Sequence, residues 1–408
     1  MIIGIDLNDT GSRISFLEDG QSVPTTISLV TGGEEYDIPM LAAKRKDHDE
    51  WYFGKEALRL PDGEDVFKTD GLCYKAVYDD IVIAFGQEYK AFDLLVMYVK
   101  KLLSMTSFVE SWQMADRICI CAGELGGQSV KMLRRMARSF DYPDDRFDFI
   151  SRSESFYEYM MHQQEDLWNH DVVLLDMTGK GILSRRLCVD RRTKPVVCRI
   201  YNDEDRSVDP SDDEALKEFA QKQTEGRIVT SVYLVGGIAD KDTTPKTIRY
   251  LCMKRRVFHA HNLYTWGACH FSKDRHLGID KRRSYLYLGK DKLRSNIGIR
   301  VSKVNEETYF SIVEAGVNWY DVNAVTELYL GRERELRFLI SPMVGRNEHN
   351  AIMRLTDIPS RPEHTTRVRI RITMDTEDYL TVNVEDLGFG EIFPASGTVV
   401  TERIAVSI

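Results

Sequence analysis

Through roughly the first 270 residues, apolar runs of strand length alternate with stretches whose apolar residues recur at helical spacing, which predicts an α/β layer architecture. The chain opens with Met1-Ile2-Ile3-Gly4-Ile5-Asp6-Leu7, an apolar strand that reaches an aspartate and then a small polar turn through Asn8, Asp9 and Thr10. Asp93 to Ser104 reads as an amphipathic helix with Leu94, Leu95, Tyr98, Leu102 and Leu103 on its inner face, and Arg117 to Ala122 as a strand. A helix over Ser129 to Phe140, a strand over Phe147 to Ile150 and a helix over Ser153 to Met161, capped by Ser153 or its neighbour, continue the alternation. Val172 to Leu175 repeats the opening theme, an apolar strand ending in Asp176 and the turn Met177-Thr178-Gly179-Lys180. A third run, Ser231 to Val235, ends in Gly236-Gly237, where a backbone can approach a ligand closely. The acidic stretch Tyr201 to Glu214 reads as a solvated loop or helix entrance.

From about Ser284 the helical spacing disappears. Thr326 to Leu330, Arg367 to Ile372 and Tyr379 to Val384 alternate apolar and polar residues, the mark of antiparallel strands with one wet face. The sequence therefore predicts an α/β domain over 1-272, a linker over 273-289 and an antiparallel β-sandwich over 290-408.

Composition narrows the function classes. With 408 residues and 43% apolar content the chain can build two or three proper cores. A net charge of −9 argues against a nucleic-acid partner, and Lys254-Arg255-Arg256 and Lys281-Arg282-Arg283 read as solvated charge. No apolar run approaches the ~20 residues needed to span a bilayer, so no membrane insertion is expected. The start lacks the basic flank and small-residue cleavage site of a secretory signal, and seven cysteines without framework spacing fit a reducing, cytoplasmic compartment. Cys119 with Cys121 and His259 with His261 lack the partners that metal sites need.

A strand ending in Asp can hold a hydrated Mg²⁺, while the N–H groups of the following turn form a concave nest for phosphate. Two such units, at Asp6 and Asp176, followed by paired glycines, could clamp one triphosphate from both sides. The order of the pieces resembles the seventy-kilodalton heat-shock chaperone family, within the actin-like ATPase superfamily. Gly4-Ile5-Asp6-Leu7 resembles its first phosphate motif, Leu175-Asp176 with Gly179 its second, and Leu234-Val235-Gly236-Gly237 its adenosine motif, with Tyr264-Thr265-Trp266-Gly267-Ala268 like the helix that follows. Cys121-Ala122-Gly123 and Ser153-Glu154-Ser155 resemble its connecting segment, Ser284 to Leu288 its interdomain linker, and Asn296 to Ile299 with Leu355 to Pro359 and Ile370 to Asp386 parts of its peptide-binding sandwich. The family's helical lid has no counterpart before Ile408.

The resemblance implies a two-lobed actin-like ATPase fold followed by a β-sandwich that binds an extended peptide, an unfolded chain or a partner protein. It implies ATP or ADP with Mg as cofactor, with Asp6 and Asp176 holding the metal through water. Glu154 would orient the attacking water and Lys68 would reach the γ-phosphate. Asn8, Asp9, Thr10, Thr178, Gly179, Lys180, Gly236 and Gly237 would line the nucleotide.

The motifs also depart from the family where each position has a physical job. Asn8 and Asp9 stand where glycine and threonine are expected, and a carboxylate at Asp9 adds like-charge repulsion toward a triphosphate. Thr178 and Lys180 replace two glycines and add bulk near phosphate, although Lys180 supplies positive charge. Ile238-Ala239-Asp240 lacks the arginine that stacks on adenine. Two functions follow: a chaperone-like, slow ATPase whose nucleotide state is coupled to peptide binding, or a degenerate, non-hydrolysing relative that serves as an interaction scaffold. Client and oligomeric state are not legible in the sequence.

Overall fold

A computed structural model describes the chain except residues 237–241, 283, 304–305, 346–347 and 407–408. The chain divides into two compact units, Met1–Tyr285 and Leu286–Ile408.

The first unit is mixed α/β and holds two larger sheets of matching design. In one, the spatial order is Phe147–Ser151, Arg117–Ala122, Ile2–Asn8, Gly11–Leu17, Thr25–Thr26. Ile2–Asn8 lies parallel to Arg117–Ala122, which is in turn parallel to Phe147–Ser151, and antiparallel to Gly11–Leu17. The other runs Arg256–His259, Val229–Val235, Asp171–Asp176, Ile182–Asp190, Val196–Asp205 with the same senses along its first four strands. In each, an apolar strand carries an aspartate at or near its end, turns tightly and returns antiparallel beside a strand pair that requires crossover connections. The central strands are buried on both faces, which is why they read as unbroken apolar runs.

Two helices join these sheets. Arg152–Met161 follows directly from Phe147–Ser151, with Ser151 Oγ capping the Glu154 N–H, and packs against Leu263–Leu277. The helices touch at Gly267, where an added Cβ would lie 2.0 Å from the Ser155 carbonyl oxygen. Gly4 plays the same part in the first strand, since a Cβ there would lie 2.4 Å from the Thr265 carbonyl. Leu263–Leu277 belongs to this unit: Thr265 bonds Ser15, Trp266 bonds Thr26 and Ser272 bonds Asp148. The segment 273–289, expected as a linker, accordingly begins with the end of this helix.

Several elements depart from the sequence pattern. Tyr201 to Asp205, expected as part of a solvated loop, completes the strand Val196–Asp205, whose outer residues are exposed and held by pairing to Ile182–Asp190. The helix beyond it, Asp213–Thr224, is capped by Asp212. A small sheet of Trp51–Phe53, Leu41–Arg45 and Val66–Asp70 and a hairpin of Ile81–Ala84 with Gln87–Lys90 lie in a region without predicted elements.

The second unit is antiparallel β. Its sheets have the orders Glu306–Val313, Ser295–Lys303, Glu335–Pro342, His349–Arg354 and Asn323–Tyr329, Arg367–Thr376, Tyr379–Gly388, Val399–Ala405. Along Arg367–Thr376 and Tyr379–Gly388 every second residue is buried, the alternation expected of one packed and one wet face. Among the described residues no helix is long and apolar enough to cross a membrane.

Candidate functional site

Asp6, two residues before the end of Ile2–Asn8, and Asp176, the last residue of Asp171–Asp176, occupy the two equivalent strands and are both buried, at 4% exposure. Between them lies Arg152, from the first turn of the helix that follows Phe147–Ser151. Its Nε and Nη2 donate to the two Asp6 carboxylate oxygens at 2.9 and 2.8 Å, and its Nη1 is 3.7 Å from Asp176 Oδ2. A bidentate guanidinium–carboxylate pair is the strongest common side-chain contact of this kind.

Asp176 has further partners. Arg185, on the returning strand Ile182–Asp190, donates to Oδ2 at 3.0 Å, and the Tyr264 hydroxyl donates to the same oxygen at 2.6 Å. The Thr178 hydroxyl and N–H donate to Oδ1 at 2.6 and 3.1 Å. Arg185 also donates to the Tyr264 oxygen, and the Arg152 guanidinium lies 4.7 Å from the Tyr264 ring centre. Two guanidiniums and two carboxylates thus form a buried quartet of zero net charge, with a tyrosine between them. Burial alone would raise the Asp176 carboxyl, but Arg152 and Arg185, helped by Thr178 and Tyr264, hold it down at about 2. Burial lowers and the two aspartates raise Arg152, and the balance leaves it above the ordinary arginine range.

The turns are internally satisfied as well. Asn8 Oδ1 accepts from the Thr10 N–H at 2.9 Å and the Gly11 N–H at 3.3 Å, and also from the Thr10 hydroxyl. This Asx turn occupies donors expected to face a phosphate. The exposed Asp9 turns its carboxylate to the Cys73 and Tyr74 N–H groups, at 2.8 and 3.0 Å, and so caps the helix Leu72–Val77. Thr178 faces Asp176, and Gly179 and Lys180 are exposed. Gly236 adopts φ +101°, and a Cβ there would lie 3.0 Å from the Met177 carbonyl carbon. Its small size therefore serves the close approach of its own second-sheet turn. Gly237 lies outside the described residues, as does Ile238-Ala239-Asp240.

Lys68 is held by groups outside the quartet. The Lys68 ammonium donates to the Leu60 carbonyl and to Asp62, both at 2.7 Å. Glu154 is fully buried in the first turn of its helix.

A hydrated Mg²⁺ shared by Asp6 and Asp176 needs their oxygens turned toward it and water around it. Here a guanidinium stands between the carboxylates and hydrogen-bonds to both oxygens of Asp6, while Asp176 is surrounded by Arg185, Tyr264 and Thr178. These residues, so placed, do not fit the metal.

A family described as "Family of unknown function (DUF5716) C-terminal" matches residues 23–290. The chain belongs to the DUF5716 C-terminal family. Residues 292–406 match a second description, "Domain of unknown function (DUF8552)". No curated protein matches the chain.

In this DUF5716 chain the two quartet arginines, Arg152 and Arg185, and the tyrosine between the charges, Tyr264, were absent from the expected site. The sequence carries one local sign of the first. Arginine in the opening turn of a helix is opposed by the helix dipole and calls for a nearby carboxylate. Arg185 sits mid-strand beside Arg186, where a charge on a buried face likewise demands a partner.

Proposed function

We propose that this DUF5716 protein is a non-hydrolysing relative of the actin-like ATPases that acts as an interaction scaffold, its two sheets joined by an internal ion-pair clamp. The observation that carries the reading is Arg152, bidentate on Asp6 and 3.7 Å from Asp176. Phosphoryl transfer depends on a metal clamp and positioned donors, and those groups are committed here to one another. The matching strand orders of the two sheets support the two-lobed ancestry.

On this reading the antiparallel unit engages the partner, an extended peptide or protein segment. Its edge strand Glu306–Val313 is largely exposed and offers Tyr309 and Phe310 to solvent, which suits strand addition.

The deciding measurement is the melting temperature with and without millimolar ATP and Mg²⁺, paired with single-turnover hydrolysis. A ligand at 100 times its Kd stabilises the folded state by about 2.7 kcal/mol. No shift and no hydrolysis are expected. A magnesium-dependent shift that Asp6→Ala abolishes would replace this reading with the ATPase one. For the antiparallel unit, fluorescence anisotropy across a panel of extended apolar peptides is the test, and no binding to any of them removes the peptide reading.

A further inference from the structure

Away from the quartet, the paired helices Arg152–Met161 and Leu263–Leu277 face each other with a second set of polar groups. Glu158 and His162 are four residues apart, as are His270 and Asp274, so each pair projects from one face of its helix or helix end. Ligand atoms of Glu158, His162 and Asp274 all lie within 4.8 Å of one another. His162 Nδ1 is 2.8 Å from the Glu158 carbonyl oxygen, so that nitrogen carries the proton. Nε2 is 3.4 Å from Asp274 Oδ1. A histidine whose one nitrogen donates to a carbonyl while the other faces carboxylates has the orientation metal-binding imidazoles adopt.

Two further observations point to a cation. The Lys281 ammonium sits among these groups, paired with Asp274, 3.8 Å from Glu158 Oε2, and 3.4 and 3.3 Å from the two His162 nitrogens. The chain thus places its own positive charge where the three ligand atoms converge. The second is His270, only 4% exposed, whose Nδ1 has no hydrogen-bond partner and whose ring stacks on His162 with centroids 4.0 Å apart.

We propose that Glu158, His162 and Asp274 form a binding site for a divalent transition metal, Zn²⁺ by its chemistry, with Lys281 as a built-in competitor. One imidazole nitrogen and two carboxylates in a partly buried pocket suit Zn²⁺, whereas Ca²⁺ and Mg²⁺ favour all-oxygen shells. Lys281 can leave, since its side chain is about a quarter exposed, at 27%, and it lies in a turn beyond the helix end. His270 stacks against His162 and positions its ring.

The test is titration of Co²⁺, followed by its visible absorption, and of competing Zn²⁺, on the full chain and on Lys281→Met. Lys281→Met is expected to bind one ion per chain about tenfold more tightly than the native chain, since one ion pair need no longer be broken. Adding His162→Gln to it should cost about a hundredfold in affinity, and Glu158→Gln a comparable loss. Far-UV circular dichroism and metal-free melting establish that each variant folds. Absence of cobalt or zinc binding by Lys281→Met, or affinity unchanged by both His162→Gln and Glu158→Gln, would overturn the proposal. Neither readout involves nucleotide, so it stands or falls separately from the scaffold reading.

Discussion

Replacing Arg152 with methionine isolates the clamp, because methionine keeps much of the side-chain volume and removes only the charge and donors. Arg152 makes two hydrogen bonds to Asp6, at 2.9 and 2.8 Å, whereas its 3.7 Å approach to Asp176 is an ion pair alone. Asp176 keeps Arg185, Tyr264 and Thr178, so the loss falls mainly on Asp6. Removing one partner of a buried pair costs about 3–5 kcal/mol. The expected loss is therefore about 3–5 kcal/mol, or roughly 6–20 °C in melting temperature for a unit of this size. Urea denaturation at pH 7 measures it. Asp6→Asn added to Arg152→Met should restore part of the stability, since no charge is then stranded. A loss below about 1 kcal/mol at pH 7, or a double variant no more stable than the single one, would show that Arg152 and Asp6 are not a buried, mutually dependent pair.

Gly267→Ala should destabilise by about 3 kcal/mol, the upper end for overpacking, because the new Cβ would meet backbone 2.0 Å away at Ser155; a melting temperature within about 2 °C of the native value would refute that contact. In the antiparallel unit, Arg361 holds Asp386 through two hydrogen bonds of 2.7 Å, with the Ser396 and Gly388 N–H groups adding two of 2.9 Å, and keeps its carboxyl well below the usual range. A depressed folded-state value means the contribution is intact above the ordinary aspartate value near pH 4 and fades as pH falls below it. The stability gap between the native chain and Asp386→Asn should therefore narrow between about pH 5 and pH 2; a gap constant over that range would count against it.

The strands were legible wherever burial on both faces made them uniformly apolar, as for Arg117–Ala122 and Asp171–Asp176. They were obscure where function or solvent broke the pattern. Ile182–Asp190 carries Arg185 and Arg186 mid-strand, and Val196–Asp205 ends in acidic residues, so neither shows a clean period of two. In the antiparallel unit Arg367–Thr376 and Tyr379–Gly388 were easier, because each has one wet face and the alternation survives, whereas Glu306–Val313 is exposed along most of its length.

The candidate site divides along the same line. Asp6 and Asp176 stood out because a carboxylate at the end of an apolar strand is a local event. Their partner did not, since Arg152 is 146 residues from Asp6 in sequence and the pairing exists only after the helix is set across the sheet. A strand–Asp–turn motif specifies a backbone path and a carboxylate at its end; it does not specify which cation that carboxylate will hold. In this chain Asn8 and Asp9 also turn inward, on the Thr10 and Gly11 N–H groups and on the Leu72–Val77 helix start. The side chains that hold the turn's shape therefore spend its donors and acceptors on neighbours. Shape and chemistry come apart at this site for a physical reason: the turn is held by hydrogen bonds that any short polar side chain can make, whereas nucleotide binding requires those bonds to remain unmade.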